Sequence, residues 1–180
     1  MGKGGQAQGK GIEVRMSDLE TPAHAVWAHR CAILTYGHLL ELACLQGRPG
    51  EPERLVTSVI VPLADVVAHI WQSSEEFYKT VREAYEKAGV AAEPPATQAP
   101  PYGTAPVLGA NVARMARAAM NGVMDWYYLS PQDAHLAKTA GRRPRFEPVI
   151  QIRLPGPSLV GILHYMATHL EEWRKNASDT

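Results

Sequence analysis

Apolar side chains recur at helical spacing in four stretches of the chain, and each pattern predicts an amphipathic helix. The predicted helices cover residues 21–46, 62–87, 106–128 and 158–175. The second has the clearest stripe, made of seven apolar side chains: Leu63, Val66, Val67, Ile70, Phe77, Val81 and Tyr85. Because a single stripe is buried only against another element, the sequence predicts an all-α fold, a bundle of four to five helices.

The segments between these helices complete the predicted organisation. Residues 55–60 suggest a further brief helix, and the prolines of 90–104 predict an exposed, extended connection. Residues 129–157 are expected to form a long irregular basic loop, in which the alternation over 149–154 allows a short strand. Residues 1–16 are polar and glycine-rich and predict a disordered tail, which leaves 17–180 as one domain without an internal repeat.

Charge and cysteine usage narrow the class of protein. Lysine plus arginine and aspartate plus glutamate number 18 each, which argues against a dedicated nucleic-acid binder. In one helix, Cys31 and Cys44 would lie roughly 20 Å apart. A disulfide needs Cα atoms within about 7 Å, so we expect two free thiols in a reducing, cytoplasmic compartment. No apolar run approaches the length of a membrane span.

The basic stretch in the predicted loop is the best binding candidate. Four arginines and two tyrosines are the candidate partner-binding residues: Arg142, Arg143, Arg145, Arg153, Tyr127 and Tyr128. Guanidinium groups suit acidic protein surfaces, and aromatic side chains are common anchors of interfaces. A solvated loop beside core aromatics is the structural alternative.

Three histidines raise the question of a metal site. His69 lies in the second predicted helix, and His164 and His169 lie in the fourth. The plan is similar, weakly, to DinB-like helical bundles, in which a histidine on one helix and a His-x-x-x-His pair on another hold a divalent metal. That resemblance implies an enzyme acting on a thiol or another small molecule. His164 and His169 are five positions apart and diverge by about 140° on a helix, which favours structural histidines and no metal or other cofactor.

Several segments resemble the N-terminal helical domain of adenylyl cyclase-associated proteins. They are the run 38–49 followed by Leu55 and Val61-Pro62-Leu63, the run 121–126 followed by Pro131, and the run 155–160. The resemblance implies a helical domain with adenylyl cyclase, cofilin–actin and copies of itself as partners. The aromatic-Asn-Arg segment and the C-terminal actin-binding domain of that family are not found here.

The sequence therefore favours a non-catalytic helical scaffold or adaptor that binds other proteins. It could serve as a subunit of a cytoskeletal or signalling assembly, with self-association as one mode of binding. We see no nucleophile elbow, phosphate-cradling glycine loop or Cys-x-x-Cys motif, so no residue is predicted to be catalytic. The metal-dependent enzyme is the alternative.

Overall fold

The computed structural model describes residues 19–47, 52–98, 103–118 and 120–178. The predicted tail, residues 1–16, lies outside them. The strands are β1 (Ala25–Trp27), β2 (Arg30–Tyr36), β3 (Leu39–Gln46), β4 (Arg54–Pro62), β5 (Val107–Gly109), β6 (Val112–Ala118), β7 (Asn121–Leu129) and β8 (Phe146–Pro155). The helices are α1 (Leu63–Asp65), which continues through a π-helical turn (Val66–Ile70) into α2 (Trp71–Lys87), then α3 (Pro131–Ala140) and α4 (Gly156–Ser178).

These elements form a mixed α/β fold, so the prediction of an all-α bundle is wrong. The described strands make two four-stranded sheets. Sheet A has the order β1-β8-β7-β6, and sheet B has the order β2-β3-β4-β5. The helical domain implied by both family resemblances is overturned with it. No helix of the described residues is long and apolar enough to cross a membrane.

The first predicted helix, 21–46, is instead the three strands β1 to β3. Residues 40–45 of β3 are all buried, on both faces of sheet B. Burial on both faces removes the alternation of polar and apolar residues that marks a half-buried strand. The segment is also rich in leucine and alanine, which favour helices, and tertiary packing overrides that preference.

The third predicted helix, 106–128, is wrong for a similar reason. It comprises the strands β5, β6 and β7. The last two form an antiparallel hairpin in which Ala118 pairs with Asn121 next to the turn. The turn between them has no glycine, whereas Gly37 adopts a φ of 58° in the corresponding turn between β2 and β3. The predicted brief helix at 55–60 lies within β4, and the supposedly irregular 129–157 contains α3.

Two helices and one strand are confirmed. The helix predicted over 62–87 is the continuous α1–π–α2 helix, and the helix predicted over 158–175 is α4. The alternating segment 149–154 lies inside β8. The first of these helices buries one stripe and leaves the opposite face exposed, and α4 does so from residue 164 onwards, which is the pattern most visible in a sequence.

The structure contains an internal repeat that the sequence analysis missed. Residues 82 positions apart hold equivalent positions at the first strand of each half. In the first half they are Ala25, Val26 and Ala28, and in the second half they are Val107, Leu108 and Ala110. In β4 and β8 the offset becomes 93, because 11 more residues separate the equivalent paired positions Tyr128 and Glu147 than separate Gln46 and Arg54. Each half is therefore four strands followed by a long helix, ββββα.

Backbone hydrogen bonds repeat between the halves. The Leu63 amide donates to the carbonyl of His38 at 2.8 Å, and the Gly156 amide donates to that of Met120 at 2.9 Å. Each bond ties the start of a long helix to the hairpin turn of its own half. Both central strands also carry a register shift at the same place, after Cys44 in β3 and after Trp126 in β7.

One side-chain contact repeats although the residue types differ. The Gly47 amide donates to Nδ1 of His29 at 3.1 Å. In the second half the Leu129 amide donates to Oδ1 of Asn111 at 2.8 Å. An imidazole nitrogen and an amide oxygen thus supply the same acceptor, which explains how the repeat persists with little sequence identity.

The two halves exchange their first strands. β1 of the first half pairs in parallel with β8 of the second, and β5 of the second half pairs in parallel with β4 of the first. Ala28 donates to the carbonyl of Arg153 at 2.8 Å, and Ala110 donates to that of Ile60 at 3.0 Å. Each sheet is thus completed by the other half.

One hydrophobic core joins both sheets and the long helices. It contains Leu42 and Val59 of sheet B, Trp126 and Ile152 of sheet A, and Leu163 of α4. A smaller cluster lies on the other, outer face of sheet A. Its members are Leu19, Val112, Tyr127, Leu129 and Phe146.

Replacing Gly161 by alanine should destabilise the fold. A Cβ there would overlap the backbone carbonyl oxygen of Glu93, whose segment lies against α4. Alanine normally stabilises a helix by about 1 kcal/mol over glycine, but overpacking should reverse the sign and cost about 1–3 kcal/mol. The measurement is the free energy of unfolding in denaturant.

Gly109→Ala is the matched control. Nothing lies within 4 Å of a Cβ at that position, so its free energy of unfolding should change by less than about 0.5 kcal/mol. Equal effects of the two substitutions would contradict the close contact between residue 93 and α4.

Candidate functional site

A row of hydrogen-bonded polar side chains crosses the outer face of sheet A. Arg114 of β6 lies opposite Asp125 of β7, which lies opposite Gln151 of β8, so all three side chains point to one face. Nε of Arg114 donates to Oδ2 of Asp125 at 2.9 Å, and Nη2 donates to the same oxygen. Nε2 of Gln151 donates to Oδ1 at 2.8 Å. We call Arg114, Asp125, Gln151 and Arg153 the polar ladder.

The ladder continues at both ends. Arg153 donates from Nε to Oε1 of Gln151 at 2.6 Å and leaves its own side chain exposed. At the other end, Nη1 of Arg114 donates to the carbonyl of Leu19 at 3.3 Å. The ladder therefore holds the segment before β1 against sheet A. Asp125 is only 2 % exposed, and its charge is matched by the guanidinium of Arg114.

Tyr127 packs beside the ladder on the same face. Its side chain is fully buried, and the guanidinium of Arg114 lies 5.9 Å from the centre of its ring. Burial, and then the negative charge of Asp125, raise the pKa of Tyr127 to about 12. The phenol therefore stays protonated through the neutral range.

The first half of the repeat provides an internal comparison for the ladder. At the four equivalent positions it carries Ala32, Ala43, Ser58 and Ile60. There Ser58 donates instead to Oε1 of the buried Glu41 at 2.6 Å. The same architecture thus forms around small and apolar residues, so the ladder is a property of the second half and not a requirement of the fold.

A groove of about 470 Å³ opens at the start of β8. It is lined by Glu20 and by residues 143–148, which include Arg143, Arg145, Phe146 and Pro148. Of the seven lining residues, 143–145 end the longer β7–β8 connection, 146–148 begin β8, and Glu20 lies before β1. The groove and the ladder both lie along β8 and share the segment 19–20.

Local sequence signals fix the loop that forms the groove. Ser130 caps α3 by accepting from the Asp133 amide at 3.0 Å, and Pro131 occupies the first turn. Gly141 ends the helix with a φ of 60°, a left-handed conformation that glycine adopts without strain. The chain then leads through Arg142 to the wall of the groove.

The structure separates the six predicted partner-binding residues. Arg143 and Arg145 line the groove, and Arg153 ends the ladder. Arg142 is exposed beside the end of α3. Tyr127 is buried and is not available as an anchor, whereas Tyr128 is 39 % exposed on the next position of β7.

The three histidines of the metal alternative have separate structural partners. His69 lies 3.9 Å from the carboxylate of Asp65, and Nδ1 of His164 lies 2.8 Å from the hydroxyl of Tyr78. His169 bonds through Nδ1 to the carbonyl of Tyr165 at 2.9 Å. Among the residues that the structure describes, no three His, Cys, Asp or Glu side chains are grouped to hold a metal ion.

Arg114, Asp125 and Gln151 are functional candidates that the sequence did not predict. If β6 and β7 had been predicted as strands joined by a short turn, Arg114 and Asp125 would have faced each other as opposite charges. Comparison of the chain with models of protein families, with curated proteins and with solved structures gives no match.

Tyr127 should titrate well above an ordinary tyrosine. The unfolded chain loses this proton near pH 10 and the folded protein near pH 12, so stability should fall as the pH rises between these values. Ultraviolet difference spectra against Tyr127→Phe would give the pKa. Titration near pH 10 without unfolding would contradict the burial of this hydroxyl beside Asp125.

Removing the cation of the ladder should be costly. Arg114→Ala leaves the buried carboxylate of Asp125 without its charge partner and should lower the free energy of unfolding by about 3 kcal/mol. The first half suggests a compensated variant, Arg114→Ala, Asp125→Ala and Gln151→Ser together, which should lose less than half of that amount. Denaturant unfolding measures both. A triple variant less stable than Arg114→Ala would show that the fold itself needs the ladder.

Proposed function

We propose that this protein is a non-catalytic module that binds an acidic, extended segment of another protein in the groove of sheet A. The adaptor role is the one expected from the sequence, but the partner would bind a face of sheet A and not the face of a helix. The groove beside the polar ladder carries it, because both lie on one face of sheet A and the ladder side chains are replaced by Ala32, Ala43, Ser58 and Ile60 in the first half.

The lining of the groove indicates the chemistry of the partner. Arg143 and Arg145 bring positive charge to the groove, which suits carboxylates, and the exposed Pro148 provides apolar contact. Glu20 and Glu147 lie in the same wall. A uniformly anionic polymer would be repelled by these carboxylates, whereas a protein segment that alternates acidic with apolar or basic residues would fit both signs.

The ladder supports this role by fixing the wall of the groove. Arg114 holds the carbonyl of Leu19, and the next residue, Glu20, lines the groove. A wall held by hydrogen bonds loses less entropy when a partner binds, which improves affinity without adding contacts.

Reversing the charge of the groove should abolish this binding. Fluorescence anisotropy would follow labelled extended peptides in which Asp or Glu alternates with apolar residues, against matched peptides with Lys at the acidic positions. We expect the protein to prefer the acidic peptides, and Arg143→Glu with Arg145→Glu to weaken binding at least tenfold, an effect reduced by salt.

Arg82→Glu with Lys87→Glu is the control, because it changes the net charge equally on the exposed face of α2. Equal loss in both double variants would mean that long-range charge, and not the groove, attracts the peptide. Absence of any preference for acidic peptides, or a groove occupied by a second copy of the chain, would overturn the proposal.

A further inference from the structure

The two cysteines, expected from the sequence to lie about 20 Å apart, are direct neighbours in sheet B. Cys31 of β2 lies opposite Cys44 of β3, and their sulfur atoms are 3.5 Å apart. Both side chains are buried in the core. The expected distance was wrong because it assumed a single helix over residues 21–46. In the structure β2 and β3 form a hairpin, which brings the two cysteines together.

Their place in the sheet suits a cross-strand disulfide. The carbonyl of Cys31 accepts from the Ala96 amide at 2.9 Å, on the side of β2 away from β3. Cys31 and Cys44 are therefore a non-hydrogen-bonded pair, in which Cα atoms are typically about 4.5 Å apart. That distance lies within the range of known disulfides, and a modest rotation of both side chains would bring the sulfurs to about 2.05 Å.

The second half of the repeat shows that the fold does not require thiols here. Its equivalent positions hold Ala113 and Trp126, which are also paired and buried. Packing alone is satisfied by a small residue opposite a large one. Packing therefore does not explain why two thiols face each other at the equivalent positions of the first half.

We propose that Cys31 and Cys44 form a reversible intramolecular disulfide that fixes the pairing of β2 with β3. The oxidant is a low-molecular-weight disulfide such as oxidised glutathione. One cysteine thiolate attacks a sulfur of the reagent, forms a mixed disulfide and releases one reagent thiol. The second cysteine then attacks the mixed disulfide, forms the Cys31–Cys44 bond and releases the second reagent thiol. Two protein thiols are oxidised and one reagent disulfide is reduced, with the two protons ending on the released thiols.

The native environment controls the rate of this exchange. The Cys31 thiol donates to Sγ of Cys44, and the Cys44 thiol donates to the carbonyl of Leu42 at 3.9 Å. The hydrogen bond with Cys31 and the burial raise the pKa of Cys44 well above its usual value. Since the thiolate is the attacking species, the folded protein should react slowly, and the bond should form while the chain folds or when the hairpin opens.

Oxidative refolding tests the proposal. The chain would be unfolded, refolded in a mixture of oxidised and reduced glutathione, and alkylated after a second unfolding. We expect a monomer with no alkylatable thiol and a mass two hydrogens lower. The thermal midpoint should rise by roughly 5–10 °C, because the cross-link closes a loop of over ten residues, and it should return with reductant.

Cys31→Ala is the control, chosen because alanine occupies the equivalent position in the second half. It should refold and show no change of thermal midpoint with oxidation. Two alkylatable thiols in the refolded wild type, or disulfides between chains, would overturn the proposal. A cross-link that forms but does not raise the midpoint would overturn the claim that it fixes the native pairing of β2 with β3.

Discussion

The parallel pairing of each short first strand with the last strand of the other half is the constraint on which the fold depends. Sheet A is completed by β1, and sheet B by β5, through equivalent bonds from Ala28 to Arg153 and from Ala110 to Ile60. Parallel strands cannot be joined by a tight turn, so these pairings require most of the chain to be in place. The long helices then fill the space beside both inner faces, and neither half has a complete sheet or a complete core alone.

The repeat also identifies which features are free to serve function. Positions that must satisfy the backbone keep their role in both halves, as His29 and Asn111 show by accepting from equivalent amides. By contrast, the ladder replaces Ala32 and Ala43 by Arg114 and Asp125, and the longer connection adds α3 and residues 143–145 of the groove. The cysteine pair is the corresponding addition to the first half. The two halves thus share their scaffold, and the ladder, the longer connection and the cysteine pair are each found in one of them.

The sequence predicted the long helices, which bury a stripe, and missed strands such as β3 that are buried on two sides. It also missed the short strands β1 and β5 and the helix α3, which bury few residues. The helices at 63–87 and 156–178 were found because polar residues mark their outer faces. β3 was read as a helix because its central residues are all buried, so no period of two is visible. That error separated Cys31 from Cys44, and the corresponding error in β6 and β7 separated Arg114 from Asp125. The arginines of the basic loop were predicted to bind a partner from their number in one stretch. Their role in binding stays a prediction, and the groove limits it to Arg143 and Arg145.

Nuclear magnetic resonance of the backbone amides, during titration with an acidic extended peptide, tests the central claim that binding belongs to the groove and ladder of sheet A. We predict that resonances of residues 143–148, of Glu20 and of the ladder strands shift with saturation. Resonances of Ala32 and Ala43, which hold the equivalent but fully buried positions of sheet B, should not respond. Equal shifts on both sheets, or shifts confined to the helices, would contradict the account, because the repeat would then carry no functional difference between its halves.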